Sequence, residues 1–453
     1  MLLIAAALLT ASMHSLGVVE APAVPAPAPQ AVVHTAGQVL KGLSVPPIGA
    51  VGGQVDADAV AHAPGSVFLD DLASMPTADL RRVAADPAVV DTVQDDPPTA
   101  RQVASWWAGL GDDEQQVLET LAPGVVGNLE GVPYAVRDRA NRTTLTAALA
   151  DPATPAAETA MLGQVRRSLV SEAGDPRRAL ITLDTRGAGR AAIAIGDLES
   201  AADVTVVVPG MFFTVTGQMY DFTDTANDLA TEQATLAPVA AAGHGHGVAV
   251  VAWMGYRTPD LSNILSLSLA RTGAERLDRA VTGLREVRGA EQPRLNIVAH
   301  SYGSTTSLIA LASGRMHADS LTVLGSPGSS VRTASQLAVP SGEVYVGGAH
   351  SDPIAGSGYF GTDPGSASFG STLLDLAGDA DTSAAGDVFR RPSGHNDYLK
   401  PGTASLHDVA LIAVGRGDLV REQLRRGEGS GGGGVPGTPD MYLVRPQDVQ
   451  QRD

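Results

Sequence analysis

Beyond Arg177 one pattern repeats: a short run of β-branched and aliphatic residues, a glycine-containing turn, then a longer helical stretch. No other feature of the chain constrains its fold as much. Strands joined by helices run parallel and are covered on both faces, so each reads as a continuous apolar run. Val204–Val208 (VTVVV) leads to Pro209-Gly210, Val248–Trp253 (VAVVAW) to Met254-Gly255-Tyr256, and Leu295–Ala299 (LNIVA) to His300-Ser301-Tyr302-Gly303. Leu321–Leu324 ends in Gly325-Ser326-Pro327, and Glu343–Val346 ends in Gly347-Gly348. Leu265–Val287 is an example of the intervening helices. Just upstream, Ala179–Asp184 and Arg190–Ile195 flank a Gly-rich turn and predict a hairpin. The fold class is therefore α/β, with a mostly parallel sheet flanked by helices.

The chain before this point has another texture. From about Gly37 to Val170 it is helical, with Pro and Gly punctuation and no alternating strand. Asp70–Ala85 spaces Leu72, Met75, Leu80 and Val83 close to the helical period, which predicts a helix there. Arg101–Leu110 precedes a second helix, for which Asp112 is the expected cap and Gln115 its capping-box partner. Trp106 and Trp107 are two of only three tryptophans and read as packing anchors. The expected organisation is a signal-like segment and Ala/Pro linker over 1–37, a helical region over 38–173, an α/β domain over 174–420 and a Gly-rich tail over 421–453. Leu2–Ala11 is apolar and uncharged, with the length of a secretory core segment rather than of a membrane span. The Ala/Pro stretch Glu20–Pro29 behind it reads as an extended spacer. Both features predict a secreted protein, or one associated with the membrane or cell envelope through its N-terminus.

Composition removes several functions. With 31 Lys+Arg against 49 Asp+Glu the net charge is −18, so nucleic acid is not an expected partner. The absence of cysteine excludes disulfides, thiolate metal sites and a cysteine nucleophile. His244-Gly245-His246 has a metal-like look, but two histidines without a third ligand read as loop residues. Neither a metal nor a cofactor is expected.

In a parallel sheet the functional face lies at the carboxyl ends of the strands. There the chain carries Ala299-His300-Ser301-Tyr302-Gly303, between a buried strand and a helix of small residues. This is the layout of a nucleophile elbow, G-x-S-x-G, with Ala299 at the first position. Small neighbours let strand and helix approach closely and lift the serine hydroxyl out of the turn. A serine needs a base, and the base needs an orienting acid. Asp352 closely follows a strand end after Ser301, whereas Asp363, in Thr362-Asp363-Pro364-Gly365, reads as a turn residue. His350 is too close to Asp352 to oppose it, and His407 reads as the first turn of a final helix. His395 lies on the loop before that helix and is the expected base. The oxyanion donors expected are the N–H of Tyr302 and that of Met211 or Phe212, after an earlier strand. Aromatic residues are scarce, yet Phe213, Trp253, Tyr256, Tyr359, Phe360 and Tyr398 all follow strand ends or the proposed catalytic residues. They predict an apolar substrate pocket.

Taken together, Val208-Pro209-Gly210-Met211, Ala299–Ser304, Gly325–Gly328, Asp352-Pro353-Ile354 and Gly394–Tyr398 resemble an actinobacterial α/β-hydrolase family of unassigned function. Upstream, Trp106–Leu110, Val126–Pro133 and Arg137–Asn141 resemble segments found before that domain, so the likeness runs from about Val103 to Leu419. The resemblance implies an α/β-hydrolase fold preceded by an all-α region, and a catalytic triad of Ser301, Asp352 and His395. The expected activity is metal-independent cleavage of a lipid-like or cell-envelope ester. A peptidase with the same triad and a non-catalytic exported binding module are the alternatives.

Overall fold

In a computed structural model of the chain the described residues are 55–171, 174–237, 247–260, 262–264, 266–349, 351–378 and 389–423. The signal-like segment, the Ala/Pro spacer, His244, His246, His350 and the Gly-rich tail beyond residue 423 lie outside them.

The alternating strands and helices build one eight-stranded sheet in the order β1-β2-β4-β3-β5-β6-β7-β8. Its strands are β1 (Arg178–Asp184), β2 (Arg190–Ile195), β3 (Asp203–Val208), β4 (Val248–Met254), β5 (Arg294–His300), β6 (Ser320–Leu324), β7 (Val344–Gly347) and β8 (Thr372–Leu373). The β1–β2 hairpin is antiparallel and β2 joins β4 antiparallel. Every pairing from β4 onward is parallel. The short β8 has no strong signal in the sequence.

Along β3 the side chains alternate between two buried layers: Val204, Val206 and Val208 on one face, Val207 on the other. Helices α10 (Val215–Leu236), α11 (Ser268–Arg288), α12 (Tyr302–Ala312) and α13 (Ala404–Ala413) contribute to these layers. Double-sided burial is why the strands read as continuous apolar runs. The sheet order reverses direction at β3, since β4 lies on one side of it and β5 on the other. The crevice at that switch opens beyond Val208 and Ala299, which face each other in register.

Nine helices precede the sheet among the described residues: α1 (Ala57–Ala61), α2 (Gly65–Ser74), α3 (Thr77–Ala84), α4 (Pro87–Asp95), α5 (Ala100–Gly109), α6 (Asp112–Leu121), α7 (Pro123–Val126), α8 (Tyr134–Ala150) and α9 (Ala156–Ser168). The helix expected over Asp70–Ala85 is two helices. Pro76 has no N–H to continue the first, and Met75 before it is extended at φ −70°, ψ 138°. The cap expected at Asp112 falls one residue earlier. Gly111 is the cap, and its N–H donates to Glu114 Oε2 at 2.8 Å, leaving the acidic residues in the first turn of α6.

The polar segment Gly127–Arg142 has a structural use. Strand β1 is paired on one side only, and an open strand edge is a template for unwanted pairing. Side chains from this segment satisfy that edge. Asp138 Oδ1 accepts the Leu180 N–H at 2.7 Å, and Asn141 Nδ2 donates to the Leu180 carbonyl at 3.0 Å. Asn128 Oδ1 accepts the Leu183 N–H at 2.9 Å, and Arg142 donates to the Arg178 carbonyl at 2.6 Å. The buried Arg137 pairs with Glu130 and reaches Thr182 Oγ1 at 3.4 Å. Farther along, Asp95 of α4 contacts Arg186, Arg190 and Arg276, tying the helical region to the hairpin and to α11.

Candidate active site

Strand β5 ends in a turn whose geometry is set at Ser301. Its φ is +54°, a left-handed value that is costly for a residue with a side chain, and such strain concentrates at functional sites. The turn is held by the Ser301 N–H donating to the Leu324 carbonyl at 2.9 Å, and α12 starts at the next residue. Close approach is enforced by glycines. A Cβ on Gly303 would sit 2.5 Å from the Val208 carbonyl oxygen, and one on Gly210 would sit 2.6 Å from Ser301 Cβ. These contacts allow no larger residue without displacement of backbone or of Ser301 Cβ.

The three side chains expected to act together do meet. His395 Nε2 lies 2.8 Å from Ser301 Oγ, and His395 Nδ1 lies 2.9 Å from each Asp352 oxygen. All three are buried, Ser301 at 2% and His395 at 7% exposure. Asp352 follows β7 and His395 precedes α13, so three separate segments converge beyond the strand ends. Burial works against ionisation of Asp352, but hydrogen bonds from His395, Tyr398 and the Ile354 N–H hold its carboxyl below the usual carboxylate range. An ionised acid fixes the proton of neutral His395 on Nδ1, which leaves Nε2 free to accept from the serine.

Of the two donors weighed on the loop after β3, Phe212 gives its N–H to the Pro259 carbonyl at 3.1 Å and is held at φ +64°. Phe212 is therefore not the donor expected of it. Among the described residues neither the Met211 N–H nor the Tyr302 N–H has a backbone acceptor; Tyr302 directly follows Ser301, and Met211 follows Gly210, which packs against the Ser301 side chain.

The predicted aromatic pocket divides. Trp253 and Tyr256 stack on each other at 5.8 Å and are nearly wholly buried in the core. Trp253 lines a small pocket of about 30 Å³ with Glu130 and Tyr134, and Tyr256 donates to the Pro209 carbonyl at 2.7 Å. Tyr398 is equally buried and is part of the acid's support: its hydroxyl donates to Asp352 Oδ2 at 2.6 Å and accepts the Ala349 N–H at 2.8 Å. Phe213 packs on Phe222. Trp253, Tyr256 and Tyr398 are thus taken up by the core and by Asp352 rather than free to wall a pocket, while Phe213 is only half-buried. Tyr359 and Phe360 remain. Phe360 stands edge-on to Tyr302 at 5.3 Å, and Tyr359, 42% exposed, stands edge-on to Phe360 at 4.9 Å.

Other residues fall where the pattern placed them or show a new contact. Asp363 Oδ1 accepts the Gly365 N–H at 2.8 Å in a turn. His407 contacts Glu232 at 2.7 Å and stacks on Phe389 at 4.2 Å. Reading the sequence missed the supporting roles of Tyr398 and Gly325. Gly325, at φ +59°, has no room for a Cβ, which would meet Asp352 Oδ2 at 2.7 Å and His395 Nδ1 at 3.1 Å. Its one signal is its place in a strand-end Gly-Ser-Pro turn.

Comparison with known proteins agrees with this architecture. Residues 184–362 match the α/β-hydrolase family model, a span that takes in Ser301 and Asp352 and stops before His395. The uncharacterized protein Rv0963c of Mycobacterium tuberculosis is 31% identical over 225 residues, 49% of this chain and 82% of that protein. The uncharacterized protein Rv2079 of the same species is 31% identical over 386 residues, 73% of this chain, and the aligned stretch spans only 58% of its length. An esterase/lipase from an uncultured bacterium superposes over 62% of this chain and 97% of its own at 10% identity, with a TM-score of 0.33, too remote to bear on chemistry. The sheet order, the serine turn at the switch point and the aligned relatives lead to one assignment: the chain belongs to the α/β-hydrolase family.

Proposed function

We propose that this protein is a serine hydrolase that cleaves an ester, of a lipid-like or cell-envelope acyl substrate, through an acyl-enzyme on Ser301. One observation carries the reading: the unbroken hydrogen-bond chain Ser301–His395–Asp352, with Ser301 in a strained turn at the carboxyl ends of the sheet. Ser301 Oγ attacks the acyl carbon while its proton passes to His395 Nε2. The developing oxyanion is stabilised by the N–H groups of Met211 and Tyr302. As the intermediate collapses, the alcohol leaves with the proton from His395. Water then repeats the sequence, giving its proton to His395 and releasing the acid and the free serine. Tyr359 and Phe360 beside Tyr302 supply an apolar surface suited to an acyl group. The apolar Leu2–Ala11 segment and the spacer after it support action outside the cytoplasmic membrane.

The test is labelling of the purified protein with a fluorophosphonate, followed by p-nitrophenyl esters of increasing acyl length and a set of peptide amides. The expected result is one label on Ser301 and turnover of esters. Absence of both label and turnover would leave a binding module on this scaffold, and preferential turnover of amides would make it a peptidase.

A further inference from the structure

His300, the residue before the nucleophile, is unused in the mechanism above yet lies against the base. Its Nε2 is 2.6 Å from the backbone carbonyl oxygen of His395. Its ring centroid is 4.6 Å from that of His395 and 5.9 Å from that of Tyr398. A carbonyl only accepts, so His300 Nε2 must carry the proton. We infer that His300 is a positioning residue for the base, a neutral donor that pins the His395 backbone to the same strand end that carries Ser301. This inference rests on the catalytic reading of Ser301, His395 and Asp352.

The mechanical reason lies in chain connectivity. Ser301 follows β5, whose end is held in register by β6, with His300 opposite Leu324. His395 sits far along the chain, on a loop before α13. Without this tie, the distance between Oγ and Nε2 would rest on the loop and its contacts with the Ser351–Asp352 segment, none of which reaches the strand that carries Ser301. The bond from His300 closes a short ring, from Ser301 through its neighbour His300 to the His395 backbone, and back through the imidazole to the hydroxyl. Further ties act on the same loop: Gly394 N–H donates to Ser351 Oγ at 2.9 Å, and Arg390 pairs with Asp397. The anchor must also stay uncharged. Burial, then the nearby charge on His395, pushes His300 down to about 3. It therefore remains a neutral donor while His395 takes up a proton beside it. A second cation at this spot would oppose the imidazolium that forms during attack.

Two variants and one spectrum test the proposal in the full chain. His300→Phe keeps a ring and removes the donor, whereas His300→Gln keeps an amide donor of similar reach. His300→Phe should lower kcat and the fluorophosphonate labelling rate together by about 10–100-fold, with KM within about 3-fold, as for a slightly misplaced base. His300→Gln should restore most of the loss. In the wild type, two-bond ¹H–¹⁵N spectra should report His300 as the neutral Nε2–H tautomer from pH 5 to 8, a readout independent of activity and of whether a variant folds. An Nδ1–H tautomer, a fully active His300→Phe, or equal losses in both variants would overturn the proposal. A wild-type enzyme without label or turnover would defeat the catalytic reading instead, and the tautomer would still judge the geometry.

Discussion

The segment Gly127–Arg142 and the strand ends around Ser301 are both polar, both largely buried and both conspicuous in the sequence. They use their polar atoms in opposite ways. In the first, Asn128, Asp138, Asn141 and Arg142 bond to the backbone of β1, so the segment completes the sheet edge. In the second, the side chains bond to one another in series, and the N–H groups of Met211 and Tyr302 have no backbone acceptor among the described residues. The elbow is also strained at Ser301. The edge motif directs its polar atoms to the backbone of β1, whereas the elbow keeps its side chains in a chain of their own, which is the arrangement the proposed chemistry needs.

The sharpest way to break this contrast is to cut one member of each. Ser301→Ala should abolish labelling and lower kcat by about 10⁴–10⁶-fold, with the melting temperature nearly unchanged. A labelled, active Ser301→Ala protein would end the mechanism.

His395→Ala should be nearly as severe, and Asp352→Asn should cost about 10³–10⁴-fold, because it spoils the imidazole tautomer rather than removing the base. Combined variants should lose little more than the worst single one, since the three act as a unit. His407→Ala should stay within about 3-fold, because His407 faces Glu232 and not Ser301. Steady-state kinetics on ester substrates decides all of these.

Asn141→Ala is the counterpart in the edge motif. It removes buried hydrogen bonds to the Gly127 and Leu180 carbonyls. The unfolding free energy should fall by about 2–4 kcal/mol in denaturant titrations, the order expected for two buried polar groups left unmatched. Turnover per folded molecule should hold. A folded but inactive Asn141→Ala would mean that the two regions are coupled.

Acid should act on the site region through His300 and Asp352. His300 is held down to about 3 in the folded protein against 6.5 for an ordinary histidine, so the unfolded chain binds the extra proton across that window. Stability then falls as pH drops from about 6.5 towards 3. The depressed Asp352 carboxyl adds loss in the same direction below the usual carboxylate range. Melting curves of His300→Phe between pH 6 and 4 should therefore be flatter than those of the wild type. An unchanged slope would show that His300 is not held neutral.

The smallest expected effect lies outside both regions. Asp408 in α13 is buried, with Oδ2 unpartnered, and burial raises its carboxyl to about 7 even though the neighbouring His407 works in the opposite direction. Such a group stabilises below its unfolded value and loses that contribution as pH rises through 7. Asp408→Asn should therefore narrow the drop in melting temperature between pH 5 and pH 8, by about 2–4 °C.

Much of this was legible from patterns of residues. Each strand from Ala179 to Val346 and the elbow at Ser301 stand out because burial on both faces demands apolar runs and the elbow demands small neighbours. The pairing of His395 with Asp352 could be anticipated from chain order and from position relative to strand ends and the last helix. The helix break at Pro76 was a local signal overlooked in favour of periodicity. The aromatic residues were misplaced for a different reason. Lying at a strand end, as Trp253 and Tyr256 do, or just after His395, as Tyr398 does, places a residue near the top of the sheet, but does not say whether it faces the crevice or the core packed beside it.

What the sequence determined by itself is whatever depends on local chemistry and period: an α/β chain with a helical region before it, a serine in a tight turn between strand and helix, and Asp352 and His395 in order behind it. What only the tertiary structure decided is whatever depends on contacts between segments far apart in the chain. That the upstream polar motif closes the β1 edge, that Phe212 gives its N–H to Pro259 while Met211 does not, and that His300 bonds the backbone of His395 are all of this kind. Hydrogen bonds are directional and short-ranged, so a donor's partner is set by where folding delivers an acceptor. Neighbours in sequence carry no record of that.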